Sequence, residues 1–158
     1  MNIEIRYLEK KDLDELKKDI VKMWSQHHLN NKSLISKNVL KNTDLHKYFR
    51  NSIERKKEFS LIALVDNEVA GIVRVEEEKL EDFFNYKKAY KVDDVVIKRK
   101  FQRKRVATSL LNRVKEIAKK KGISVLKARV YSFNEPAQRF FVDKGFDDLY
   151  SEYFCTVD

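Results

Sequence analysis

The chain has 158 residues, 42% of them hydrophobic, which suits one folded domain with a real core and excludes a disordered polar chain. Lys and Arg number 34 against 25 Asp and Glu, a formal charge of +9 that raises the question of a nucleic-acid or membrane-surface partner. The charge is local: residues 98–121 hold eleven basic residues and one acid, Glu116, a net of +10, so the rest of the chain sums to −1. Residues 66–94 run the other way, with nine acids against five bases. No apolar run approaches the ~20 residues of a membrane span, and Met1 to Arg6 lack the apolar core of a signal peptide. Cys155 stands alone and forms no internal disulfide, so a cytoplasmic protein is the expectation. His27, His28, His46 and Cys155 show no metal-ligand spacing; exposed, structural histidines and no metal are expected.

In chain order, Ile3, Ile5 and Tyr7 alternate with polar residues and predict a short strand. Asp12 is the expected N-cap of a helix carrying Leu13, Leu16, Ile20, Val21 and Trp24 at helical spacing. Residues 25–38 are polar and read as a loop or broken helix. A second helix is predicted over about 39–57, with Leu40, Leu45, Tyr48, Phe49 and Ile53 on its apolar side. Ser60–Val65 and Val69–Val75 are strands around an Asp66-Asn67-Glu68 turn, a hairpin. Residues 76–89 read as charged and irregular, and Val92–Ile97 as an apolar strand interrupted by Asp93-Asp94. Val106, Ala107, Leu110, Leu111, Val114, Ile117 and Ala118 mark one face of an amphipathic helix that Gly122 ends. Val125–Tyr131 is a strand. Asn134 and Pro136 open a last helix, which Lys144-Gly145 closes. Residues 146–157 show strand-like alternation around Tyr150, Tyr153, Phe154 and Cys155. With no repeat and no linker, the chain reads as a single domain over residues 1–158, of mixed α+β type.

The informative segment joins a buried strand to a helix through Lys98-Arg99-Lys100-Phe101-Gln102-Arg103-Lys104-Arg105. Such a loop presents unpaired N–H groups at the positive end of a helix dipole, an anion site suited to phosphates. A solvated basic turn capping an ordinary helix is the alternative reading of the same charges.

The run from Val95 to Leu111 resembles the acetyl-CoA motif of GNAT superfamily N-acetyltransferases, an apolar strand followed by Q/R-x-x-G-x-G/A and a helix with paired aliphatics. Gln102 and Ala107 match its ends, and Arg105 stands where the first glycine would be. A second block, Asn134 to Phe146, is similar to the family's N-x-x-A-x-x-F/L-Y-x-x-x-G-F. The resemblance implies an α/β sandwich with a central, mostly antiparallel mixed sheet, splayed open between the strand ending at Ile97 and the strand at 125–131. It implies that acetyl-CoA is the cosubstrate. Its pantetheine arm would pair with the backbone of Val95, Val96 and Ile97, and its pyrophosphate would lie on the N–H groups of Arg103, Lys104, Arg105, Val106, Ala107 and Thr108 beside Gln102. Asn134, Ala137 and Phe141 of the second block would flank the arm. Arg105 is expected to take the helical backbone region and to add a charge near the anion, replacing some of the close backbone approach a glycine allows.

The reaction implied is acetyl transfer from the thioester to an amine by direct attack. It needs a deprotonated amine, a polarised carbonyl and a proton for the thiolate. A backbone N–H near Ile97 would polarise the carbonyl. Asp93 and Asp94, expected to face opposite sides of their strand, are the candidates for base or amine-orienting group. The family's thiolate acid is commonly a Tyr, and that position here is Phe141, which cannot donate a proton. Tyr131 is one substitute, Tyr150 or Tyr153 another. The acidic stretch Glu76-Glu77-Glu78 with Glu81 and Asp82, and the aromatics Trp24, Phe83, Phe84 and Tyr86, are expected near the amine entrance. A polyamine, an aminoglycoside-like amine and a protein amine all fit. The alternatives are a CoA-binding regulator of the same fold, suggested by Phe141, and a basic nucleic-acid-binding module. No membrane partner is expected, and a homodimer is the assembly the resemblance suggests.

Overall fold

The computed structural model of the protein describes residues 1–38 and 44–157. β1 (Ile3–Tyr7) leads through a 3-10 turn to α1 (Leu13–Asn30). Asp12 stands directly before α1 but does not cap it. Its carboxylate accepts from the Arg6 guanidinium at 2.8 and 2.9 Å and from the Glu9 N–H at 2.8 Å, tying the helix start to β1. The helix also runs past the expected break after Trp24. The polar side chains read as a loop bond back to carbonyls four residues earlier: Ser25 to Val21 at 2.9 Å, His27 to Met23 at 2.9 Å and Asn30 to Gln26 at 2.8 Å. These bonds satisfy the polar side chains on the preceding turn, so the residues are accommodated within the helix.

In the described part of the span expected to be a helix over 39–57 stand two short ones, α2 (Leu45–Tyr48) and α3 (Arg50–Glu54), parted at Phe49, whose φ of −95° and ψ of 7° leave the helical basin. Leu40 lies outside the described residues. β2 (Glu58–Val65) and β3 (Glu68–Lys79) form the predicted hairpin, with Asp66 and Asn67 at φ 48° and 68°, the left-handed pair a two-residue turn needs. β3 extends through Glu76–Glu78, and β4 (Lys88–Ile97) starts at Lys88, so much of the stretch expected to be irregular is strand. Cross-strand charge pairs hold it, Lys88 to Glu77 at 3.0 Å and Lys91 to Glu76 at 3.3 Å.

α4 (Val106–Lys120) follows the basic loop, then β5 (Leu126–Ala128) and α5 (Glu135–Asp143). The Asn134 carboxamide accepts from the Ala137 N–H at 3.2 Å, the predicted cap. β5 is shorter than the expected 125–131. Residues 146–157 form no strand: their alternation meets no partner edge, and Tyr153 and Val157 are more than nine-tenths exposed.

The sheet order is β1-β2-β3-β4-β5, antiparallel except for the parallel pair β4 and β5. One face carries α1, α2 and α3 through Leu13, Leu16, Ile20, Leu45 and Phe49 on Ile62, Ile72 and Val96. The other carries α4 and α5, with Val106, Leu110, Leu111, Val114, Ile117 and Phe141 on Leu61, Val73, Val75 and Val92. Each fully buried aliphatic side chain contributes roughly 1.5–3 kcal/mol. Gly71 sits where β3 and β4 come close: a Cβ there would lie 2.7 Å from the Val96 carbonyl oxygen.

Candidate active site

β4 and β5 pair only from Tyr90 to Val92, and the last bond between them runs from the Arg129 N–H to the Val92 carbonyl at 3.2 Å. Beyond it the two strands part. The rest of β4 stays paired with β3, and the Lys98 N–H donates to the Ala70 carbonyl at 2.9 Å. Antiparallel bonding alternates along a strand, so Val96 faces β3 while the N–H and C=O of Val95 and Ile97 point into the gap. The Ile97 carbonyl accepts from Gln102 Nε2 at 3.1 Å, which leaves the Val95 groups and the Ile97 N–H on an open edge.

A cavity of about 260 Å³ fills this gap. Trp24 and His27 of α1, Tyr48 of α2, Val92 to Val95 of β4, Arg129 to Tyr131, and Asn134, Ala137 and Phe141 of α5 line it. It therefore passes through the sheet, with helices of both faces contributing. Of the site residues singled out in the sequence, it gathers Trp24, Asp93, Asp94, Tyr131, Val95, Asn134, Ala137 and Phe141. Val96 is buried on the α1 side. Ile97, Gln102 and the loop lie beyond the open edge, where the chain leaves the sheet.

The two aspartates do not face opposite sides. The β3–β4 register pairs Arg74 with Asp94 and Val75 with Val92, so Asp93 is an extra residue, a β-bulge. The bulge shifts the alternation by one and turns both carboxylates to the α1 face. There they meet the buried Arg74, whose guanidinium donates to Asp94 at 2.6 Å, Glu58 at 2.7 Å, Glu76 at 2.8 Å and Asp93 at 3.3 Å. Burial acts against the charge on Arg74, but Asp94 and the other partners raise its pKa. Asp94 also accepts from the Tyr48 hydroxyl at 2.9 Å; burial, with the Asp94 charge beside it, pushes that phenol up.

Asp93 differs. Its side chain is 2% exposed, and its Oδ1, without a hydrogen bond, lies 3.2 Å from an Arg129 nitrogen. Burial and then the neighbouring Glu76 carboxyl push Asp93 up to about 6. Glu76 goes the other way: burial opposes its charge, but hydrogen bonds with Asp93 and Arg74 hold it down to about 2.

Below the cavity, the loop puts Arg105 at φ 63° and Arg103 at φ 60°. The expectation that Arg105 takes the helical region is thus wrong. It adopts the left-handed conformation a glycine would take, because the chain must turn there to enter α4. The N–H groups of Arg105, Val106, Ala107 and Thr108 precede the first intrahelical bond, Ser109 N–H to Arg105 carbonyl at 2.9 Å. Lys98 and Lys100 pair with Glu15 and Glu68 at 3.9 and 2.6 Å, whereas Arg99, Arg103, Lys104 and Arg105 have no acidic partner within 4 Å among the described residues. The local charge read from the sequence thus stands free beside the N–H groups.

Of the residues expected near the amine entrance, Trp24 lines the cavity and the other aromatics do not. Glu76, Glu77 and Glu78 are neutralised by Arg74, Lys91, Lys88 and Lys127. Phe83, stacked on Phe84, is largely exposed, and Phe83, Phe84, Tyr86, Tyr150 and Tyr153 are all absent from the cavity wall. Tyr131 is the one suggested thiolate acid that reaches it, and it sits in the connection after β5. His27 and His28 are half-buried, not exposed. Arg74 and Arg129 do not stand out from the sequence, and Tyr48 and His27 read there as structural residues only. A lone arginine inside the apolar run Val69–Val75, one strand away from Asp93-Asp94, was the available signal for the buried ion network.

This mixed sheet, opened between its fourth and fifth strands and flanked by helices, has the GNAT acyl-CoA N-acyltransferase fold. The chain belongs to the acetyltransferase (GNAT) family, whose model matches residues 21–146. No curated protein sequence matches the chain. Among solved structures it is similar to a mutant of the BH1408 protein from Bacillus halodurans, at 13% identity and TM-score 0.85 over 98% of this chain and 99% of that one. It is also similar to AAC(6')-Iy in complex with the bisubstrate analogue CoA-S-monomethyl-acetylneamine, at 14% identity and TM-score 0.76 over 100% and 99% of the two chains. A third likeness is to the PaiA N-acetyltransferase of Thermoplasma acidophilum in complex with coenzyme A, at 20% identity and TM-score 0.74 over 96% and 94%. No helix among the described residues is long and apolar enough to cross a membrane.

Proposed function

We propose that the chain, as one domain over residues 1–158, transfers the acetyl group of acetyl-CoA to a primary amine by direct attack in a ternary complex. The observation that carries this reading is the open β4 edge at Val95–Ile97, which leads straight into a basic loop and the free N–H groups of α4. An edge with unpaired amide groups suits the amides of a pantetheine arm. A helix start with uncompensated arginines suits a pyrophosphate. In this reading Gln102 and residues Arg103 to Thr108 hold the phosphates, the Ile97 N–H polarises the thioester carbonyl, and Asn134, Ala137 and Phe141 flank the arm. Asp93 receives the amine as its ammonium. Asp94, fixed by Arg74 and Tyr48, holds the strand that carries Asp93. Tyr131 supplies the thiolate proton. The lone Cys155, free of any disulfide, fits the reducing cytoplasm.

Thermal unfolding with and without acetyl-CoA tests binding, and release of free thiol across a panel of amines tests catalysis. Acetyl-CoA is expected to raise Tm, and the double variant Gln102→Ala, Arg103→Ala to lose that rise. Absence of any shift at millimolar acetyl-CoA sinks the reading. One observation favours a second reading, a CoA-binding regulator: Phe141 puts a phenyl without a hydroxyl on the cavity wall. A Tm shift without thiol release from any amine selects it.

A further inference from the structure

Resting on that reading, we infer that His27 is a catalytic residue, the base whose Nε2 takes the proton from the amine held by Asp93. His27 Nδ1 lies 2.9 Å from the Met23 carbonyl. A carbonyl only accepts, so Nδ1 carries the hydrogen, and the neutral ring presents Nε2 as an unprotonated acceptor. No described residue donates to that nitrogen. The ring is fixed from both sides of the cavity mouth. Its own helix holds Nδ1, and Tyr131 and Phe133 meet it edge-on with centroids 4.4 and 5.4 Å away. His27 thus stands on the cavity wall with Asp93 and Tyr131, oriented and with its lone pair unused.

Asp93 is poorly placed to do this work alone. Its carboxylate is engaged by Arg74, Lys91 and Arg129, so carrying the amine's proton there would disturb existing ion pairs. His27 has no acidic partner among the described ion pairs and lies only half-buried, so water can take the proton onward. The step balances. Nε2 removes one proton from the ammonium and passes it to water. The freed nitrogen lone pair forms the C–N bond to the thioester carbon as the C–S bond breaks. Tyr131 gives its hydroxyl proton to the thiolate and recovers one from the acylated nitrogen.

Two variants and a small molecule test this. His27→Phe keeps the ring packing on Tyr131 and Phe133 and removes both nitrogens; His27→Ala leaves space for free imidazole. With the acetyl-CoA-induced Tm shift unchanged, kcat of thiol release is expected to fall by about 10²-fold or more in both. The acetyl-CoA KM should stay within about twofold, and added imidazole should restore turnover to His27→Ala but not to His27→Phe. If His27→Phe keeps kcat within about twofold of the wild type, or imidazole rescues neither variant, the assignment of His27 is overturned and the acetyltransferase reading stands. If the wild type itself releases no thiol with any amine, both fall.

Discussion

Arg74 Nε donates to Asp94 Oδ2 across 2.6 Å, from the centre of β3 to the centre of β4, and the same guanidinium serves three further carboxylates. The carboxylates it gathers include both candidates for the amine end of the cavity. Removing one side of a buried ion network leaves uncompensated charge and typically costs about 3–5 kcal/mol. Arg74→Met is therefore expected to lose about that much in urea unfolding at neutral pH, and to lose thiol release with it. A change below about 1 kcal/mol would mean that water screens the cluster and that Arg74 does not position it.

Asp93 makes its own prediction, with a sign. Its folded pKa is raised to about 6 by burial and by Glu76, above the usual carboxylate range near 4. Between those values the folded chain binds a proton that the unfolded chain lacks, so this group's contribution is full below pH 4 and is lost as pH rises through 6. Asp93→Asn has no such slope. The stability of the wild type relative to this variant is expected to fall as pH rises from 4 to 7, read by urea unfolding at several pH values. Parallel curves would show that Asp93 is charged throughout. Glu76 titrates in a separate window: held at about 2, it adds stability that is lost only as pH drops below about 4.5.

The same two aspartates mark how far the sequence could be read. Strand-period and helix-period patterns located β1, the β2–β3 hairpin, α1, α4 and α5, because each buries a regular stripe against one sheet. The cleft residues Val95, Asn134, Ala137 and Phe141 were implied by the resemblance of the two motif blocks to the GNAT family. What stayed hidden depends on events outside local periodicity. A bulge at Asp93 reverses which face Asp94 takes, and alternation cannot reveal an extra residue. Glu76–Glu78 look like a loop until Lys88, Lys91 and Lys127 are brought opposite them. His27 looks like a solvated surface residue until the connection between β5 and α5 brings Tyr131 and Phe133 against its ring.

Arg105 carries a glycine's backbone angle at φ 63°, and the cost of that conformation for an ordinary residue is on the order of 1 kcal/mol. Arg105→Gly removes this strain but adds chain entropy to the unfolded state, so its net effect on stability is expected to stay within about 1 kcal/mol. Arg105→Val, β-branched, is expected to lose more than that. Ligand binding separates the backbone from the charge: the Tm rise caused by acetyl-CoA should shrink in both variants, since both lose the guanidinium. An undiminished rise in Arg105→Gly would show that the phosphates are held by N–H groups alone.

Phe141 and Tyr131 share the cavity wall, and only one of them has a proton to give. Phe141 is 8% exposed and packs edge-on against Phe140 and Phe146, at 5.2 and 5.1 Å between centroids. The ring is therefore fixed, and a hydroxyl added at its tip is held by packing already present. Tyr131 sits in the connection after β5, is over a third exposed, and is steadied by His27 and Phe133. If Tyr131 protonates the thiolate, Tyr131→Phe should lower kcat by about 10²-fold while leaving the acetyl-CoA Tm shift intact. Phe141→Tyr placed on that background should restore a large part of the loss, because it puts a phenol on the wall of the same cavity. Phe141→Tyr alone should raise thiol release or leave it unchanged, at a stability cost of about 1–3 kcal/mol if the new hydroxyl finds no partner. Full activity in Tyr131→Phe would instead mean that water protonates the thiolate, and Phe141→Tyr would then add nothing on either background.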